Sequence, residues 1–393
     1  MNWMNFVILT TTVEQVINQY LNYRQLQKLK IKTIPSTLEA YNITTPEQFA
    51  KSQQYGYDKF SATNFLSNFG YSNEILISIV FLTEYILFST LLEIPFSLYY
   101  SFVLEEKHGF NKISLKLFIK DKIIGVLLIV VIGGPLVSAL IYIVKWTGPL
   151  FWFYSWLLIA AFSFVMITIY PVLIAPLFNK YSPVEGELRD SIYELAKKVD
   201  FPATQLYVVD NSKRSSHMNA YFYGFFKNKR IVLYDTLIKE LSQEEILAVL
   251  CHEFGHYKMN HTLRLIVIQQ IYLIVFFYIF GLFVNDIQLF NDFGFQNTYT
   301  FVGLLLFSQI YSPLDQIFSF ISNVFSRAYE YQADDYALGM GYDLTDGLVK
   351  LNIKDSASLI IDPWYSTYHH THPTLLERLK NIKSKLSTSK KTQ

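Results

Sequence analysis

Three long stretches without a charged side chain constrain the fold of this chain more than any other feature. They run from Ile123 to Val144, from Thr147 to Asn179 and from Leu265 to Val284. Because about 20 apolar residues in a helix span the roughly 30 Å hydrocarbon core of a bilayer, each stretch is long enough to cross a membrane. Only 17% of the residues are charged, against about 25% in soluble domains. We therefore expect an integral membrane protein.

Weaker candidates raise the expected number of spans to about five or six. Ile75 to Leu104 contains two glutamates, Tyr299 to Phe325 contains Pro313 and Asp315, and Trp3 to Leu21 contains one glutamate and several amides. Ionisable residues within spans usually face a cavity or a partner. These side chains are therefore expected to line a wet interior or, in an alternative interpretation, to serve a transporter.

Lysine and arginine are concentrated in three segments that connect the spans: 105–122, 180–262 and the tail after Arg327. Basic connecting segments favour the cytosolic side of a membrane, so most of the polar part of the chain is predicted to lie there. The net charge of +1 gives no argument for nucleic-acid binding. The single cysteine, Cys251, excludes a disulfide framework.

The polar part combines helical and strand patterns. A capping box of Ser242 and Glu245 predicts a helix over 242–259. Short apolar segments predict strands, and these lie at 205–210, 217–223 and 230–234. We therefore predict an all-α multi-span membrane protein with a polar domain that contains a small β-hairpin or sheet.

The sequence His252-Glu253-Phe254-Gly255-His256 carries the clearest chemical signal. Residues four apart on a helix share a face, so His252 and His256 can contact a single metal ion. Glu253 is rotated by about 100° and lies beside the open coordination position, where it can accept a proton from water. Zn²⁺ suits two imidazoles, a carboxylate and a water. The alternative is a solvated helix face that holds no metal.

A third metal ligand must come from elsewhere in the chain. The best candidate is Glu330, which lies four residues before Asp334 and shares a helical face with it. Glu330 could ligate the metal, and Asp334 could accept the outer N–H of a ligand imidazole. From spacing alone, an acidic stripe exposed to solvent is an equal alternative.

Four motifs occur together in the polar part of the chain: HEFGH at 252–256, SRAYEYQAD at 326–334, NAY at 219–221 and HTHPTLLERL at 370–379. With further stretches at 105–111 and 169–179, they resemble the Ste24-type CAAX prenyl proteases, which are integral-membrane zinc metalloproteases of the M48 class. The likeness covers about 75–386.

The resemblance implies a set of metal and catalytic residues. His252, His256 and Glu330 would hold one Zn²⁺ per chain. Glu253 would be the general base, and Asp334 would be the carboxylate behind a ligand histidine.

The same resemblance implies residues that contact the substrate. His372 would face the scissile group, and Asn219, Ala220 and Arg378 would bind substrate. From the residues alone, His372 could equally belong to a surface histidine cluster, Asn219 could end a strand, and Arg378 could pair with a nearby carboxylate. The histidines without a match, among them His261, are assigned structural roles.

The family fold implies a ring of helices around a water-filled chamber, capped by the zinc domain on the cytosolic side. We accordingly expect an N-terminal membrane region at 1–179. The M48 peptidase domain is expected at 180–393, including the spans near 265–284 and 299–325.

The chain departs from the family pattern between 61 and 73, where a short polar stretch replaces an expected span. With one crossing fewer, the count of spans no longer places the basic stretch from Arg24 to Lys32 on the cytosolic side. Either Trp3 to Leu21 then crosses from the opposite direction, or it does not cross at all. The glycosylation sequon Asn42-Ile43-Thr44 can report the side of this loop.

The resemblance implies a zinc metalloendopeptidase that removes the last three residues of prenylated CaaX proteins. The alternatives are a broader membrane quality-control peptidase and a non-catalytic membrane transport or binding protein. Expected partners are prenylated CaaX C-termini and membrane lipid, with no nucleic acid. The expected location is the endoplasmic reticulum membrane, with the nuclear envelope as a second location, and the terminal Lys390-Lys391 pair resembles a retrieval signal.

Overall fold

The computed structural model describes residues 92–224, 229–284, 286–293 and 300–392, with residue 90 and scattered positions between 6 and 53. The predicted span Trp3 to Leu21 and the first half of Ile75 to Leu104 lie largely outside the described residues. The helices are α1 (Leu115–Val144), α2 (Gly148–Phe178), α3 (Gly186–Lys198), α4 (Asp235–Glu240), α5 (Gln243–Lys258), α6 (His261–Phe283), α7 (Ile287–Asp292), α8 (Thr300–Gly339), α9 (Thr345–Lys354), α10 (Pro363–His369) and α11 (Leu375–Thr392), preceded by a π-helical segment, Tyr100–Glu105. The strands are β1 (Tyr181–Pro183), β2 (Ala203–Val209), β3 (Ala220–Tyr223) and β4 (Lys229–Tyr234).

Among the described residues, three helices are long and apolar enough to cross a membrane: α1, α2 and α6. They cover each uncharged stretch of the sequence except for at most two residues. Their large apolar side chains are exposed, as with Val131, Leu173 and Leu282. An apolar surface of this extent needs a lipid or protein partner, so the helices are suited to a bilayer. The candidate span Tyr299 to Phe325 falls in α8, which continues through Pro313 without interruption.

The sheet has four strands in the order β1-β2-β4-β3. β1 is antiparallel to β2, β2 is parallel to β4, and β3 and β4 form the predicted antiparallel hairpin. β3 therefore lies at an edge, and no described strand pairs with its outer side. Ala220 and Phe222 of β3 point into the same hydrophobic core as Ile231 and Leu233 of β4.

Helix α5 packs against α8 at very close range because of Gly255. A Cβ atom at this position would lie 3.1 Å from the Cα of Ala333 and 3.1 Å from the Cβ of Tyr336. Only glycine leaves room for this approach without a shift of the helices. The contact brings the middle of α5 next to the C-terminal part of α8.

The amino-terminal segment packs on the sheet-containing part of the chain. Phe49 is fully buried in the core that contains the sheet. Arg24 binds Asp362 through two hydrogen bonds, Nε to Oδ1 at 3.0 Å and Nη2 to Oδ2 at 2.7 Å. Asp362 also caps α10 by accepting from the backbone N–H groups of Trp364 and Tyr365. Arg24 thus lies beside the carboxyl-terminal part of the chain, and Phe49 lies in the core that contains the sheet.

The basic segments that the sequence places on one side are joined in the structure. Arg214 binds Asp121 of α1 with Nε to Oδ2 at 3.0 Å, and its Nη1 donates to Asn179 at 2.6 Å. Asn111 forms a β-bridge with Ser215. These contacts put segment 105–122 and segment 180–262 at the same end of the helices.

Candidate metal centre

The helix that carries the HExxH sequence begins at the predicted capping box. The backbone N–H of Glu245 donates to Ser242 Oγ at 3.3 Å, and the backbone N–H of Ser242 donates to Glu245 Oε2 at 2.7 Å. This start fixes the phase of α5, so His252 and His256 lie one turn apart on one face. That face is turned towards α8.

Glu330 of α8 meets the two histidines of α5. The Nε2 atoms of His252 and His256 are 3.1 Å apart. Glu330 Oε2 is 3.5 Å from His252 Nε2, and Glu330 Oε1 is 3.2 Å from His256 Nε2. One ligand atom of each residue therefore lies within 4.8 Å of the others, although 74 positions of sequence separate His256 from Glu330.

The donor set of these three residues fits a zinc ion. His252 and Glu330 are only 8% and 7% exposed. Glu330 Oε2 is buried, and its contacts with Arg378 Nη1 at 3.4 Å and His252 Nε2 at 3.5 Å are too long for good hydrogen bonds. A closely bound cation would satisfy this buried carboxylate oxygen better. Two imidazole nitrogens and a carboxylate oxygen are a common catalytic zinc set, with a fourth position left for water.

A carboxylate lies next to the outer ring nitrogen of His252, the one that faces away from Glu330. Asp334 Oδ1 lies 2.9 Å from His252 Nδ1, so the outer N–H of the imidazole can be donated to it. Arg378 in turn donates to Asp334 from Nε at 2.8 Å, and its side chain is only 12% exposed. Arg378 therefore contacts Asp334, the carboxylate next to the outer nitrogen of His252. A role of Arg378 in substrate binding stays a prediction.

His256 is held by a residue that the sequence did not single out. His261 Nδ1 lies 3.0 Å from His256 Nδ1, and His261 Nε2 lies 3.0 Å from Gln332 Oε1. With the amide oxygen of Gln332 as acceptor, the tautomer of His261 that carries its proton on Nε2 can accept the outer N–H of His256 at Nδ1. The ring of His261 also stacks on Tyr329 at 4.3 Å.

The one feature of the sequence that could have indicated this contact of His261 is its position just after α5, the helix that carries the HExxH sequence. Asn260 takes a left-handed conformation, with φ of 56°, and turns the chain so that α6 begins at His261. Asparagine tolerates this conformation better than most residues. The sequence shows the asparagine, but the direction of the next helix depends on packing.

The charge state of the ligand cluster is set by its ion pairs. Burial disfavours charge on His252, yet hydrogen bonds with Asp334 and Glu330 raise its pKa to about 9. Burial likewise opposes ionisation of Glu330, but the two histidines hold its pKa well below the usual range. A cation at this site has to displace the proton of His252, so metal binding is expected to weaken as the pH falls.

Glu253 projects beside the candidate ligands and is half-buried. Burial raises its pKa above the usual value, while the neighbouring histidines oppose this shift. No hydrogen bond to its side chain is formed within the described part of the chain. A carboxylate of raised pKa beside a candidate metal site is suited to proton transfer near neutral pH.

His372 lies at the mouth of the site. Its Nε2 is 3.3 Å from Glu330 Oε1, and its side chain is 66% exposed. Its backbone carbonyl accepts from Arg327 Nη1 at 3.0 Å, while Arg327 Nη2 binds both oxygens of Glu377 at 2.9 Å. Glu377 also completes a capping box with Thr374 at the start of α11. The backbone around His372 is thus fixed, and its exposed ring contacts Glu330 through Nε2 and the hydroxyl of Thr371 through Nδ1 at 2.8 Å.

Asn219 and Ala220 lie at the beginning of the edge strand β3, which packs against α5. The side chain of Asn219 accepts from the backbone N–H of Ala220 at 2.8 Å, and the backbone carbonyl of Asn219 accepts from the N–H of Tyr234. The strand therefore begins in a fixed register beside the HExxH helix. Its outer edge is available for an extended peptide.

Membrane helices that carry an HExxH site at one end define a class, the multi-pass membrane metalloendopeptidases. Comparison with known families agrees: residues 183–386 match "Peptidase family M48", and residues 61–180 match "CAAX prenyl protease N-terminal, five membrane helices". The chain belongs to peptidase family M48, whose members use a metal ion, commonly zinc.

Individual relatives match nearly the whole chain. The "CAAX prenyl protease 1 homolog" of Dictyostelium discoideum is 46% identical, over 98% of this chain and 99% of that protein. The "CAAX prenyl protease 1" of Saccharomyces cerevisiae is 37% identical, over 92% and 90%. The crystal structure of S. mikatae Ste24p is similar with a TM-score of 0.90 at 35% identity, covering 97% and 99%. The expected family, fold class and enzyme class are thereby confirmed.

Proposed function

We propose that this protein is a zinc endopeptidase that removes the last three residues of prenylated CaaX proteins. The observation that carries the proposal is the meeting of His252, His256 and Glu330 in a chain that matches CAAX prenyl protease 1 homologues along nearly its full length. The names of the relatives supply the substrate class, and the geometry of the site supports hydrolysis.

One Zn²⁺ per chain would be held by His252, His256 and Glu330. When bound, it supplies Lewis acidity that polarises a peptide carbonyl and lowers the pKa of water to about 7. Asp334 and His261 orient the two imidazoles by accepting their outer N–H groups.

The chain's own residues carry the proton and orient the peptide. Glu253 accepts a proton from the attacking water, whose oxygen forms a bond with the scissile carbonyl carbon. The C–N bond then breaks, and the same proton passes from Glu253 to the leaving nitrogen. His372 donates a hydrogen bond to the carbonyl oxygen as negative charge develops there. The backbone of Asn219 and Ala220 aligns the substrate along the edge of β3.

The location of the reaction follows from the basic segments. The end of the helices that holds the metal site also holds Arg214, segment 105–122 and the basic carboxyl-terminal part. By the positive-inside rule this end faces the cytosol, and the membrane is proposed to be that of the endoplasmic reticulum. Membrane lipid and prenylated C-termini are then the partners. We keep the division into a membrane region, 1–179, and a peptidase domain, 180–393, as part of the proposal.

The test is cleavage of a farnesylated CaaX peptide by the purified full-length protein. We expect release of the terminal tripeptide, loss of activity with a chelator, recovery with Zn²⁺, and at least a thousandfold lower kcat in Glu253→Gln. Equal cleavage of the unmodified peptide would favour a broader quality-control peptidase. Full activity of Glu253→Gln would contradict every enzymatic assignment based on this site.

A further inference from the structure

A cavity of about 580 Å³ lies between the cytosolic-side end of α2 and the sheet. Its volume falls within the roughly 300–1,000 Å³ typical of small-ligand sites. Apolar and aromatic side chains dominate its lining, and no charged side chain is among the described lining residues. None of these lining residues belongs to the metal centre.

One wall of the cavity is a tyrosine face of the sheet. Side chains alternate along a strand, so Tyr221 and Tyr223 of β3 point away from the core that contains Ala220 and Phe222. The register places Tyr234 on the same face, because Tyr221 pairs with Val232 two residues earlier in β4. The rings of Tyr221 and Tyr234 meet edge to face at 6.4 Å.

The other wall is the end of the membrane helix α2. Met166, Tyr170 and Ala175 line it, around the π-helical turn Tyr170–Ile174 that contains Pro171. Proline removes a backbone donor and widens the helix at this turn. The cavity is therefore an apolar pocket that begins at a membrane helix and ends at the strand beside the metal centre.

We propose that this cavity, here called the tyrosine pocket, binds the prenyl chain of the substrate, an inference that rests on the proposed function. A peptide paired with the outer edge of β3 directs alternate side chains to the two faces of the sheet. A prenylated cysteine directed to the tyrosine face would place its isoprenoid chain against Tyr221, Tyr223 and Met166. The peptide would lie at the edge of β3, beside the metal centre.

The lining favours a prenyl chain over a membrane phospholipid. A phospholipid carries a phosphate, whose binding needs basic side chains or free N–H groups, and no charged side chain is among the described lining residues. A thioether-linked isoprenoid is uncharged along its whole length. Its branched, unsaturated units suit the faces and edges of the tyrosine rings. The hydroxyls of Tyr181 and Tyr221 lie 3.4 Å apart and satisfy each other's polarity.

The experiment compares a farnesylated CaaX peptide with the same peptide left unmodified, using purified full-length protein. Met166→Trp fills the tyrosine pocket from α2, and Ala175→Leu fills it from the far end of the same wall. The matched control is Val165→Trp, since Val165 is the neighbouring residue and is 49% exposed on the apolar surface. We expect the ratio of kcat/KM for the two peptides to fall about tenfold or more in both pocket variants, mainly through KM, and to persist in the control.

The outcomes separate the tyrosine pocket from the proposed function. If the wild type cleaves neither peptide, the proposed function fails. If the wild type prefers the farnesylated peptide and both pocket variants retain that preference, the proposed function stands and the pocket assignment is overturned. Equal cleavage of both peptides by the wild type overturns prenyl recognition and leaves a general peptidase.

A second measurement does not depend on the folding of the pocket variants. Glu253→Gln protein is incubated with a CaaX peptide whose farnesyl analogue carries a photoreactive diazirine, and the labelled residues are identified by mass spectrometry. We expect labels within 166–178 or on Tyr221 and Tyr223. Labelling only elsewhere, or complete competition by phosphatidylcholine vesicles, overturns the assignment.

Discussion

At the residue scale, the two candidate ligand histidines differ in the group that contacts their outer ring nitrogen. His252 faces the ionised carboxylate of Asp334, whereas His256 faces the neutral ring of His261. An anionic acceptor makes an imidazole a stronger donor to a metal than a neutral acceptor does. His252 should therefore be the stronger donor to a metal and His256 the weaker one. The metal affinity of His256 should depend clearly on the residue that accepts its outer N–H.

Replacing His261 tests this support. In His261→Phe the ring can still stack on Tyr329, but the acceptor for the outer N–H of His256 is lost. We expect zinc affinity to fall about ten- to a hundredfold, measured by competition with a chromogenic chelator. Tyr329→Phe keeps the stack and should bind zinc like the wild type. Unchanged zinc affinity in His261→Phe would mean that His261 contributes only packing.

His217 links three parts of the chain and should make stability depend on pH. Its Nδ1 lies 3.2 Å from Asp355 and its Nε2 lies 3.3 Å from Glu105, and these two carboxylates raise its pKa from 6.5 to about 9. A raised pKa in the folded state means that the stabilisation is complete below pH 6.5 and is lost as the pH rises towards 9. Partial exposure of the ring reduces the effect through solvent screening.

The measurement is the midpoint of thermal unfolding of the detergent-solubilised protein between pH 6 and pH 10. We expect the wild type to lose more stability than His217→Gln across the window from pH 6.5 to 9. The two curves should converge above it. Parallel curves would show that His217 does not change its charge in the expected range.

At the element scale, the site depends on how closely α5 approaches α8. Gly255 lies between His252 and His256 on α5, and a Cβ atom added to it would lie 3.1 Å from the Cα of Ala333. In Gly255→Ala, the helices must separate by a few tenths of an ångström, which moves Glu330 relative to the two histidines. We expect kcat/KM to fall at least tenfold, since small displacements of catalytic groups have large effects on rate.

Gly339 provides the matched control for this substitution. It lies in the last turn of α8, and a Cβ atom there would meet nothing within 4 Å. Gly339→Ala should therefore keep wild-type activity and unfold at the same or a slightly higher temperature. Loss of activity in both variants would mean that a glycine-to-alanine change in either helix lowers activity, and that the close approach of α5 to α8 at Gly255 is not the cause.

Elements with local signals were predictable from the sequence. The capping box at Ser242 gave the start of α5, and the uncharged stretches gave α1, α2 and α6. The spacing within HEFGH placed two histidines on one face, and the structure adds that Glu330 lies within reach of both. These features depend on residues a few positions apart, or on composition over one helix length.

Features that depend on long-range packing were not predictable from the sequence. The parallel pairing of β2 with β4 and the short strand β1 need partners that lie far away along the chain. The contact of His261 with His256 depends on the turn at Asn260. The prediction of a structural role for His261 was incomplete, because burial and hydrogen bonding to a ligand cannot be read from residue type.

At the scale of the whole molecule, contacts indicate on which side the amino-terminal segment lies. Arg24 binds Asp362 and Phe49 lies in the core of the sheet-containing part, so this segment shares the side of the metal centre. Glu105 lies on the same side, through His217. The contacts therefore keep Arg24 and Phe49 on the side of the metal centre, a side that the sequence alone left open. The departure from the family pattern at 61–73 lies outside the described residues.

Glycosylation mapping in a eukaryotic host tests this topology. Asn42-Ile43-Thr44, and the sequence Asn260-His261-Thr262 beside the metal centre, should both stay unmodified if their side faces the cytosol. The substitution Tyr299→Thr creates a sequon at Asn297, and it should add a glycan if α6 crosses the membrane and the segment after it faces the lumen. Modification of Asn42 in the wild type, detected by a glycosidase-sensitive mass shift, would place the amino-terminal loop in the lumen.

The contact between Arg24 and Asp362 joins residues that are 338 positions apart. At a synthesis rate of about 5–20 residues per second, the ribosome needs roughly 20 to 70 s to reach the second after making the first. During that interval Phe49 has no finished core to enter, while the hydrophobic helices are already being inserted. The residues that are synthesised first are therefore among the last to reach their final contacts. A nascent chain stalled before Asp362 should expose its amino-terminal apolar residues to chaperones.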